Sequence, residues 1–438
     1  MKQLKLNNIY ESQHITQPTK STSLKLIDII TILYSGFCVL ELSTSSFKFI
    51  CLFLLILWFI TAIFTNSKSV NNIINNKAVV ILFLYAFFYF LYVSLVDGLV
   101  MGLKHSFTII ISESPFFLLL YYDDEDNRNS MTNLLPFAFF AVVLVLCRNI
   151  LQLIANDPNA ARIMAANINI YNSYITGGGY QIAYLLALSI PVLITTLKLR
   201  KHKLLTVALT LVFIYTLLKC SYTTAILTCV VELFLLLIFT TNSDKEKSIR
   251  LILFFLLLFV LLLSKSAIGN FFINTVSPFF DGTFVERRMR ELGEFILGNA
   301  SDNNGAVGRI ELYEISIKTF FKNPIFGISY LTKFDSALEI TYGGVRNIGM
   351  HSDIFDGFAR VGIFYVLYII YYYNAVKHIK NHGSNLYIII AIAFFALKTI
   401  NISSAFGLSY VVYFAIPILL SGMEGINHFN RRDEVLNE

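Results

Sequence analysis

The sequence has few charged residues and few cysteines for its length, and both shortages narrow the class of protein. Charged residues make up 14% of the 438 residues and hydrophobic residues 56%, with a mean hydropathy of +0.66. A soluble protein cannot bury so much apolar surface. The cysteines lack the paired spacing of a zinc site, a haem site or a disulfide framework, so we interpret them as small apolar residues. They are Cys38, Cys51, Cys147, Cys220 and Cys229.

The sequence also lacks signatures of metal and nucleic-acid binding. No Asp-x-Asp motif and no set of His and carboxylate ligands occurs in the long polar interval from 267 to 352. The formal net charge is +6, but the basic residues are dispersed over short segments instead of clustering on one face. Membrane topology explains such a distribution better than nucleic-acid binding does.

What the sequence has in abundance is apolar runs of about 17 to 23 residues, the length that a helix needs to cross a bilayer. Helices satisfy their own backbone in lipid, and no alternating β-barrel pattern is visible. The sequence therefore predicts an all-α polytopic membrane protein that forms one integral membrane domain over residues 1–438. We predict about twelve spans, at 26–42, 47–64, 78–96, 105–121, 133–154, 179–197, 204–219, 221–240, 250–266, 353–373, 385–400 and 404–421.

The Lys and Arg residues between these spans predict the topology. Alternate segments carry the basic residues, as the positive-inside rule requires when both chain ends are cytoplasmic. The segment 121–129 is the exception, because acidic residues dominate it, but these weigh little in the rule. The polar residues 1–23 precede the first span without a cleavage site and indicate an uncleaved signal-anchor. The interval 267–352 is then a large helical loop before span ten, facing the periplasm of a bacterial inner membrane.

Several ionisable residues fall inside the predicted spans, where each costs about 3 kcal/mol on insertion scales. The acids near the middle of the membrane are Glu113 and Glu232, whereas four cations lie toward the outer leaflet. Each cation alone can snorkel or form an ion pair. Together they suggest a pocket for an anion at headgroup depth, such as a lipid phosphate or diphosphate. These cations are Arg148, Lys219, Arg360 and Lys398.

Two helices are predicted within the long loop. Residues 284–297 alternate acidic and basic side chains at helical spacing, and ion pairs within the helix are a sufficient explanation for them. Residues 309–321 form a second helix, which Asn323-Pro324 ends and Gly327 turns. Arg309 begins this helix, where the helix dipole disfavours a cation, so we expect either a bound anion or a neighbouring carboxylate beside it.

Span ten begins with His351-Ser352-Asp353. Ser352 or Asp353 suits a helix N-cap, and Asp353, Asp356 and Arg360 form one polar stripe that enters the membrane. His351 lies at the mouth of this stripe. It can accept a proton from a sugar hydroxyl, or it can serve only as a polar anchor.

These landmarks resemble the O-antigen polymerase and O-antigen ligase superfamily of membrane glycosyltransferases. The family pattern is an arginine at the start of a helix, an Asn/Asp-Pro-x-x-Gly turn, then a His-Ser/Asn pair opening a span that reaches a glycine. Here these are Arg309, the turn 323–327, His351-Ser352 and Gly362, and the resemblance covers about 308–373. The segment 219–225, with Tyr222 at its centre, occupies the position of a Ser-rich family motif but lacks the arginine common in ligases.

The resemblance implies a fold similar to the GT-C class and a periplasmic transfer reaction. An oligosaccharide would pass from undecaprenyl diphosphate to an acceptor sugar, without metal or other cofactor. Arg309 and His351 would be catalytic, and Asp353 and Tyr222 would contact or orient the acceptor. The expected partners are the lipid-linked oligosaccharide, membrane lipids, and the flippase and chain-length regulator of the same pathway. The residues expected to bind diphosphate are Arg148, Lys219 and Arg360.

Three functions remain open at this point. A polymerase joins a lipid-linked repeat unit to another, a ligase passes the finished chain to lipid A-core, and a non-enzymatic carrier only binds and moves an anionic lipid. The absence of the ligase-like arginine after Ser221 favours the polymerase. A carrier is expected to show internal repeats and broken helices at mid-membrane, and no such repeat is visible.

Overall fold

The computed structural model describes residues 25–40, 45–123, 125–157, 160–161, 179–196, 203–220, 222–239, 244–280, 284–300, 305–329, 348–349, 351–382, 386–400 and 406–419. Regular structure within these ranges is helical throughout and includes no strand. The all-α prediction is therefore confirmed for the described residues. The predictions for the two chain ends, for most of the segment between 156 and 180, and for Ser221 fall outside them.

The helices are numbered here in chain order. Up to the long loop they are α1 (Leu26–Leu40), α2 (Ser45–Thr65), α3 (Ser67–Ile74), α4 (Lys77–Asp97), α5 (Leu99–Glu113), α6 (Pro115–Tyr122), α7 (Glu125–Asn156), α8 (Gly179–Thr196), α9 (Lys203–Cys220), α10 (Thr223–Phe239) and α11 (Asp244–Leu263). The remainder are α12 (Lys265–Phe271), α13 (Phe284–Leu297), α14 (Gly305–Lys322), α15 (Asp353–Val361), α16 (Tyr365–His382), α17 (Leu386–Ile400) and α18 (Phe406–Tyr410). Irregular helical turns extend α12 through Phe280 and α18 through Ala415.

Many of these helices have the length or the apolar composition of membrane-spanning helices. Within the described residues, five helical stretches are long and apolar enough to cross one: Lys77–Asp97, Leu99–Tyr122, Ala138–Asn156, Lys203–Cys220 and Asp353–Ile379. Six shorter apolar helices are Leu26–Val39, Phe49–Thr65, Ile182–Thr195, Thr223–Leu236, Tyr387–Ile400 and Leu408–Leu419. The outward faces of the long helices expose leucine and phenylalanine, as expected of surfaces in contact with lipid. The count of twelve crossings stays a prediction.

Two predicted spans are interrupted. The predicted span 105–121 changes from α5 to α6 at Ser114, because Pro115 has no N–H to continue the hydrogen-bond ladder. The predicted span 353–373 bends at Gly362, whose φ of +61° ends α15 before α16 begins. The polar stripe of that span therefore lies on a short helix of its own.

The interior of the bundle is rich in aromatic and polar side chains. Trp58, which is fully buried, donates a hydrogen bond of 3.0 Å from its indole nitrogen to Thr31. Tyr122 donates to Asp28 at 3.0 Å and lies 2.9 Å from the Thr31 hydroxyl. These bonds join α1, α2 and α6, so buried polar groups are paired where several helices meet. All five cysteines are free and buried, which agrees with their interpretation as small apolar residues.

The two ends of the bundle can be distinguished because α14 and the turn after it contact only one of them among the described residues. Tyr313 and Arg309 of this helix contact the last residue of α17 and the first turn of α10, and Gly327, in the turn after the helix, contacts Tyr92 near the end of α4. We call this the site end. At the opposite end, a side-chain contact of 2.7 Å joins His378 near the end of α16 to Asp123.

Candidate functional site

Arg309 lies in the first turns of α14, and its main partner comes from a distant helix. Its Nη1 donates a hydrogen bond of 3.3 Å to the hydroxyl of Thr224, in the first turn of α10. Thr224 belongs to the polar sequence 219–224 that separates α9 from α10, so the structure brings two of the predicted motifs together. The neighbouring carboxylate considered from the sequence does not appear among the described residues, where Arg309 makes no ion pair.

Helices α14 and α15 run side by side in the same direction. Going along both chains, the ring of Tyr313 lies 5.7 Å from Phe355, Ser316 contacts Asp356, and the ring of Phe320 lies 5.3 Å from Phe358. The N-terminal ends of the two helices are therefore neighbours.

Gly349, just before α15, tightens this arrangement at the N-terminal ends. A Cβ on Gly349 would lie 2.0 Å from the carbonyl oxygen of Leu312, so only glycine fits against α14 at this point. Leu312 is one helical turn after Arg309, and Gly349 is two residues before His351. The predicted catalytic pair thus lies at the same end of the helix pair.

A hydrogen-bond chain fixes the start of α15. The hydroxyl of Ser352 caps the helix by accepting the backbone N–H of Phe355 at 3.1 Å, which selects Ser352 from the two predicted caps. Asp356 accepts the backbone N–H of Ser352 at 3.3 Å and the Ser316 hydroxyl at 2.6 Å. The Ser316 hydroxyl in turn accepts the N–H of Gly349 at 2.9 Å. Because these groups are buried, the chain holds His351 in a defined position.

His351 itself is half-buried, and its ring nitrogen Nδ1 is buried without a hydrogen-bond partner in the part of the chain that the structure describes. Buried polar atoms in proteins are paired in the large majority of cases, so an unpaired one needs an explanation such as a catalytic role or a bound group. Nδ1 of His351 is therefore a candidate contact for a bound group.

Backbone hydrogen bonds join the Asn-Pro-x-x-Gly turn, residues 323–327, and the residues after it to the end of α15. The N–H of Ile363 donates to the carbonyl of Pro324 at 2.8 Å, and the N–H of Ile328 donates to the carbonyl of Ala359 at 3.0 Å. Gly327 and Gly362 both have positive φ, of +69° and +61°, and a Cβ on either would lie within 2.5 Å of backbone atoms across the contact. Each glycine is therefore required for conformation and for close approach together.

Asp353 has a cationic partner. The ammonium of Lys398 lies 3.6 Å from its carboxylate, and Lys398 is only 4% exposed. Lys398 also lies 5.4 Å from the ring centroid of Tyr368 and 5.2 Å from that of Phe394. The cation is thus enclosed by protein groups, and the predicted orienting residue Asp353 is held at the first turn of α15.

Below this pair lies a buried carboxylate that the sequence marked as an intramembrane acid. Glu113, at the break between α5 and α6, accepts hydrogen bonds from Tyr368 at 2.8 Å and Tyr371 at 3.1 Å. The other acid that the sequence places within a predicted span, Glu232 on α10, is fully buried, and neither of its carboxylate oxygens has a hydrogen-bond partner among the described residues.

The remaining predicted site residues lie around the same end. Tyr222 is buried and donates a hydrogen bond to the carbonyl of Ala161. Arg360 is half-buried in the last turn of α15, and its carbonyl accepts the N–H of Ser329 at 2.9 Å. Arg148 on α7 and Lys219 at the end of α9 are exposed, with the Lys219 ammonium 5.8 Å from the ring of Tyr215. Their binding of diphosphate stays a prediction.

The charged helix α13 behaves as its pattern predicts. Arg287 pairs with Glu291 at 2.8 Å, and Arg290 pairs with Glu286 at 2.7 Å, both at a spacing of four residues. These ion pairs within one exposed helix need no ligand, so the alternation of charges is explained by the helix itself.

Sequence reasoning missed Thr224 as the partner of Arg309, Ser316 as the partner of Asp356, and the tyrosines around Glu113. For Thr224 and Ser316 the sequence does hold a clue, because each is a polar residue on a helix next to a predicted site residue. Tyr313, one turn after Arg309, donates a hydrogen bond of 2.6 Å to the carbonyl of Ile400. Burial raises the pKa of Tyr313, although the positive charge of Arg309 opposes this effect.

No group of three or more His, Cys, Asp or Glu side chains suited to a metal ion occurs in the part of the chain that the structure describes. Comparison of the sequence with models of known protein families finds no match, and comparison with curated proteins finds no significant similarity.

Proposed function

We propose that the protein is a surface-polysaccharide polymerase of the O-antigen type, which transfers an oligosaccharide from undecaprenyl diphosphate to a lipid-linked acceptor at the periplasmic face. One observation carries the proposal. Among the described residues, Arg309 has one hydrogen-bond partner, the hydroxyl of Thr224, and it lies at the same end of the α14–α15 pair as His351, whose Nδ1 has no partner among those residues. A cation that can bind an anion and an imidazole that can take a proton, at one end of a helix pair, are what such a transfer needs.

In the proposed reaction, the acceptor hydroxyl oxygen attacks the anomeric carbon of the donor sugar. The bond between that carbon and the diphosphate oxygen breaks, the oxygen keeps the bonding electron pair, and polyprenyl diphosphate leaves. The proton of the acceptor hydroxyl passes to a ring nitrogen of His351. Diphosphate is a good leaving group, so the protein needs only to position both substrates and to stabilise the leaving charge.

Arg309 is suited to the leaving diphosphate because a planar guanidinium binds two oxygens of a phosphate at once. Thr224 orients one edge of the guanidinium. The exposed Arg148 and Lys219, and Arg360 at the end of α15, would add positive charge around the same group. Asp353 would not bind the anion; its pairing with Lys398 would instead hold the helix that follows His351.

A ligase that transfers the chain to lipid A-core is the second candidate, and it would use the same chemistry. Only the acceptor differs, and the sequence favours the polymerase because the ligase-like arginine after Ser221 is absent. The carrier is less well supported, because transport of an anionic lipid gives no role to the unpartnered Nδ1 of His351.

The experiment that separates these functions is a gene deletion followed by electrophoresis of the lipopolysaccharide. A polymerase predicts a band with a single repeat unit on the core. A ligase predicts loss of the chain from the core while lipid-linked polymer is retained, and a carrier predicts loss of both. Transfer by purified protein should also survive EDTA, because the proposed diphosphate site consists of arginine and lysine.

His351→Ala tests the mechanism directly. If the imidazole is the general base, the rate of transfer should fall by at least about 100-fold. The matched control is His378→Ala, which removes a histidine at the opposite end of the bundle and should leave transfer unchanged. A small loss that higher acceptor concentration restores would make His351 a substrate anchor instead.

A further inference from the structure

The turn after α14 exposes a cluster of large apolar side chains. Phe321, Ile325, Phe326 and Ile363 are each more than half exposed, and we call them the apolar turn patch. Phe321 lies in the last turn of α14, Ile325 and Phe326 lie on the turn that follows it, and Ile363 lies in the turn directly after α15. A surface of this size that faces water would normally be polar. An exposed apolar cluster of this kind marks a surface that contacts something apolar.

The neighbours of the patch show its depth along the bundle. The ring of Tyr92 lies 6.0 Å from the ring of Phe326, and its hydroxyl donates to the carbonyl of Gly327 at 3.0 Å. Tyr92 is five residues before Asp97, where α4 ends, so at about 1.5 Å per residue the turn sits roughly 7 to 8 Å inside the end of that helix.

The patch continues a surface of α4 that is suited to lipid. Residues on either side of Tyr92 are exposed and apolar: Leu91, Val96 and above all Leu95, which is 85% exposed. They belong to a helical stretch long and apolar enough to cross a membrane. Phe326 also lies 5.7 Å from the ring of Phe364, which stacks on Phe88 of the same helix. The turn and the lipid-facing side of α4 therefore form one apolar surface.

The charged side chains on the exposed side of α14 change from acidic to basic toward the apolar turn patch. Glu314 lies nearer the start of the helix, whereas Lys318 and Lys322 flank Phe321 near its end, and all three charged side chains are exposed. Lysine and aromatic residues together are typical of the membrane–water interface, because the ammonium reaches anionic headgroups while the ring remains among the acyl chains. This order of charges indicates that the end of α14 lies at the bilayer and that its start does not.

We propose that the apolar turn patch inserts into the acyl region of the leaflet at the site end and anchors α14 there, with Lys318 and Lys322 at the headgroups. The turn is bonded to the end of α15 through Ile328 and Ser329. Insertion would therefore fix the depth of α15 relative to the headgroups. This anchoring does not depend on which lipid-linked reaction, if any, the site performs.

Tryptophan fluorescence can test the insertion, because the chain has one native tryptophan and it is fully buried. In a Trp58→Phe background, single variants Phe321→Trp and Phe326→Trp would be placed in phosphatidylcholine and phosphatidylglycerol vesicles with and without brominated acyl chains. Leu95→Trp serves as the lipid-exposed reference. Glu314→Trp is the matched control on the same side of α14, two turns earlier than Phe321.

We expect brominated lipid to quench both patch variants at least half as strongly as Leu95→Trp, and acrylamide in the water to quench only Glu314→Trp strongly. Strong acrylamide quenching of the patch variants would overturn the proposal by placing the turn in water. Quenching by neither agent would also overturn it, because it would mean that protein covers the patch, either residues 330–347 or a second copy of the chain.

Folding is checked by size-exclusion chromatography in detergent. If the Trp58→Phe background does not fold, the same variants are compared with the wild-type protein, and the difference gives the signal of the added tryptophan.

Discussion

Lys398 and Arg309 are two cations at the same end of the bundle with opposite surroundings. Lys398 is 4% exposed and is surrounded by the carboxylate of Asp353 and the rings of Tyr368 and Phe394. Arg309 is half-buried, and the described part of the chain supplies it with one hydroxyl, that of Thr224, and no carboxylate. From the sequence, Lys398 is one of four cations predicted toward the outer leaflet, whereas Arg309 begins a helix of the long loop and is expected to have an anion or a carboxylate beside it.

The difference separates a structural cation from one available to a ligand. A buried charge is tolerated only when protein groups pair with it, and Lys398 meets that condition. An arginine that has five donors and only a weak neutral partner retains most of its capacity to bind. We infer that Lys398 stabilises the fold, whereas Arg309 serves the proposed reaction, and substitutions at the two positions should therefore fail in different assays.

The largest effect is expected at Lys398. Lys398→Met keeps the volume of the side chain but removes the cation that lies 3.6 Å from the Asp353 carboxylate, and breaking a buried pair in this way costs about 3 kcal/mol. We expect a clearly lower melting temperature in detergent. The double variant Lys398→Met with Asp353→Asn should recover part of the loss, because it removes the carboxylate from which Lys398→Met takes its nearby cation. Lys203→Met, at an exposed position on α9, is the control and should have the melting temperature of the wild type. If Lys398→Met also has the melting temperature of the wild type, the structural role of Lys398 is refuted.

Arg309→Lys tests the other side of the comparison. The variant keeps the charge but loses the planar fork, so transfer should fall by about 100-fold while the melting temperature stays unchanged. Arg287→Lys is the matched control, because Arg287 is exposed and pairs only within its own helix. If Arg309→Lys lowers the melting temperature as much as Lys398→Met does, Arg309 is a structural residue and the comparison fails.

Local patterns predicted the elements around these residues well. The charge alternation of 284–297 matches α13 at both ends, and the predicted helix 309–321 is α14 with a few residues added before it. Asn323-Pro324 ends that helix as expected. These features depend on nearest neighbours in sequence, namely helical spacing, the missing N–H of proline and the freedom of glycine.

The contacts that decide function were not predictable in the same way. Thr224 and Arg309 are 85 residues apart, and Glu113 and Tyr368 are 255 apart, so no local pattern relates them. The bend at Gly362 was missed for a related reason. A glycine in an apolar run is compatible with a continuous helix, and the feature that marks Gly362 as a bend, the close approach of Ile325 and Phe326 from the turn, is a contact between distant parts of the chain.

The smallest effect is expected at Tyr313, one turn after Arg309 on α14. Tyr313→Phe removes the hydrogen bond to the carbonyl of Ile400, and such a bond contributes about 1 kcal/mol or less on a half-buried helix. The melting temperature should fall slightly, with activity unchanged. Tyr373→Phe, at an exposed position on α16, should have no effect on either quantity.

The pH dependence of this small loss identifies its cause. Burial raises the pKa of Tyr313 in the folded protein above the value of about 10 that tyrosine has in an unfolded chain. The folded state therefore holds the phenol proton more tightly, so the stabilising contribution is complete below pH 10 and is lost as the pH rises through the folded pKa. Melting curves at pH 8 and at pH 11 should show a difference between wild type and Tyr313→Phe that shrinks at the higher pH. A difference that grows with pH would mean that the folded state favours the ionised phenolate. The positive charge of Arg309 would then affect Tyr313 more strongly than burial does.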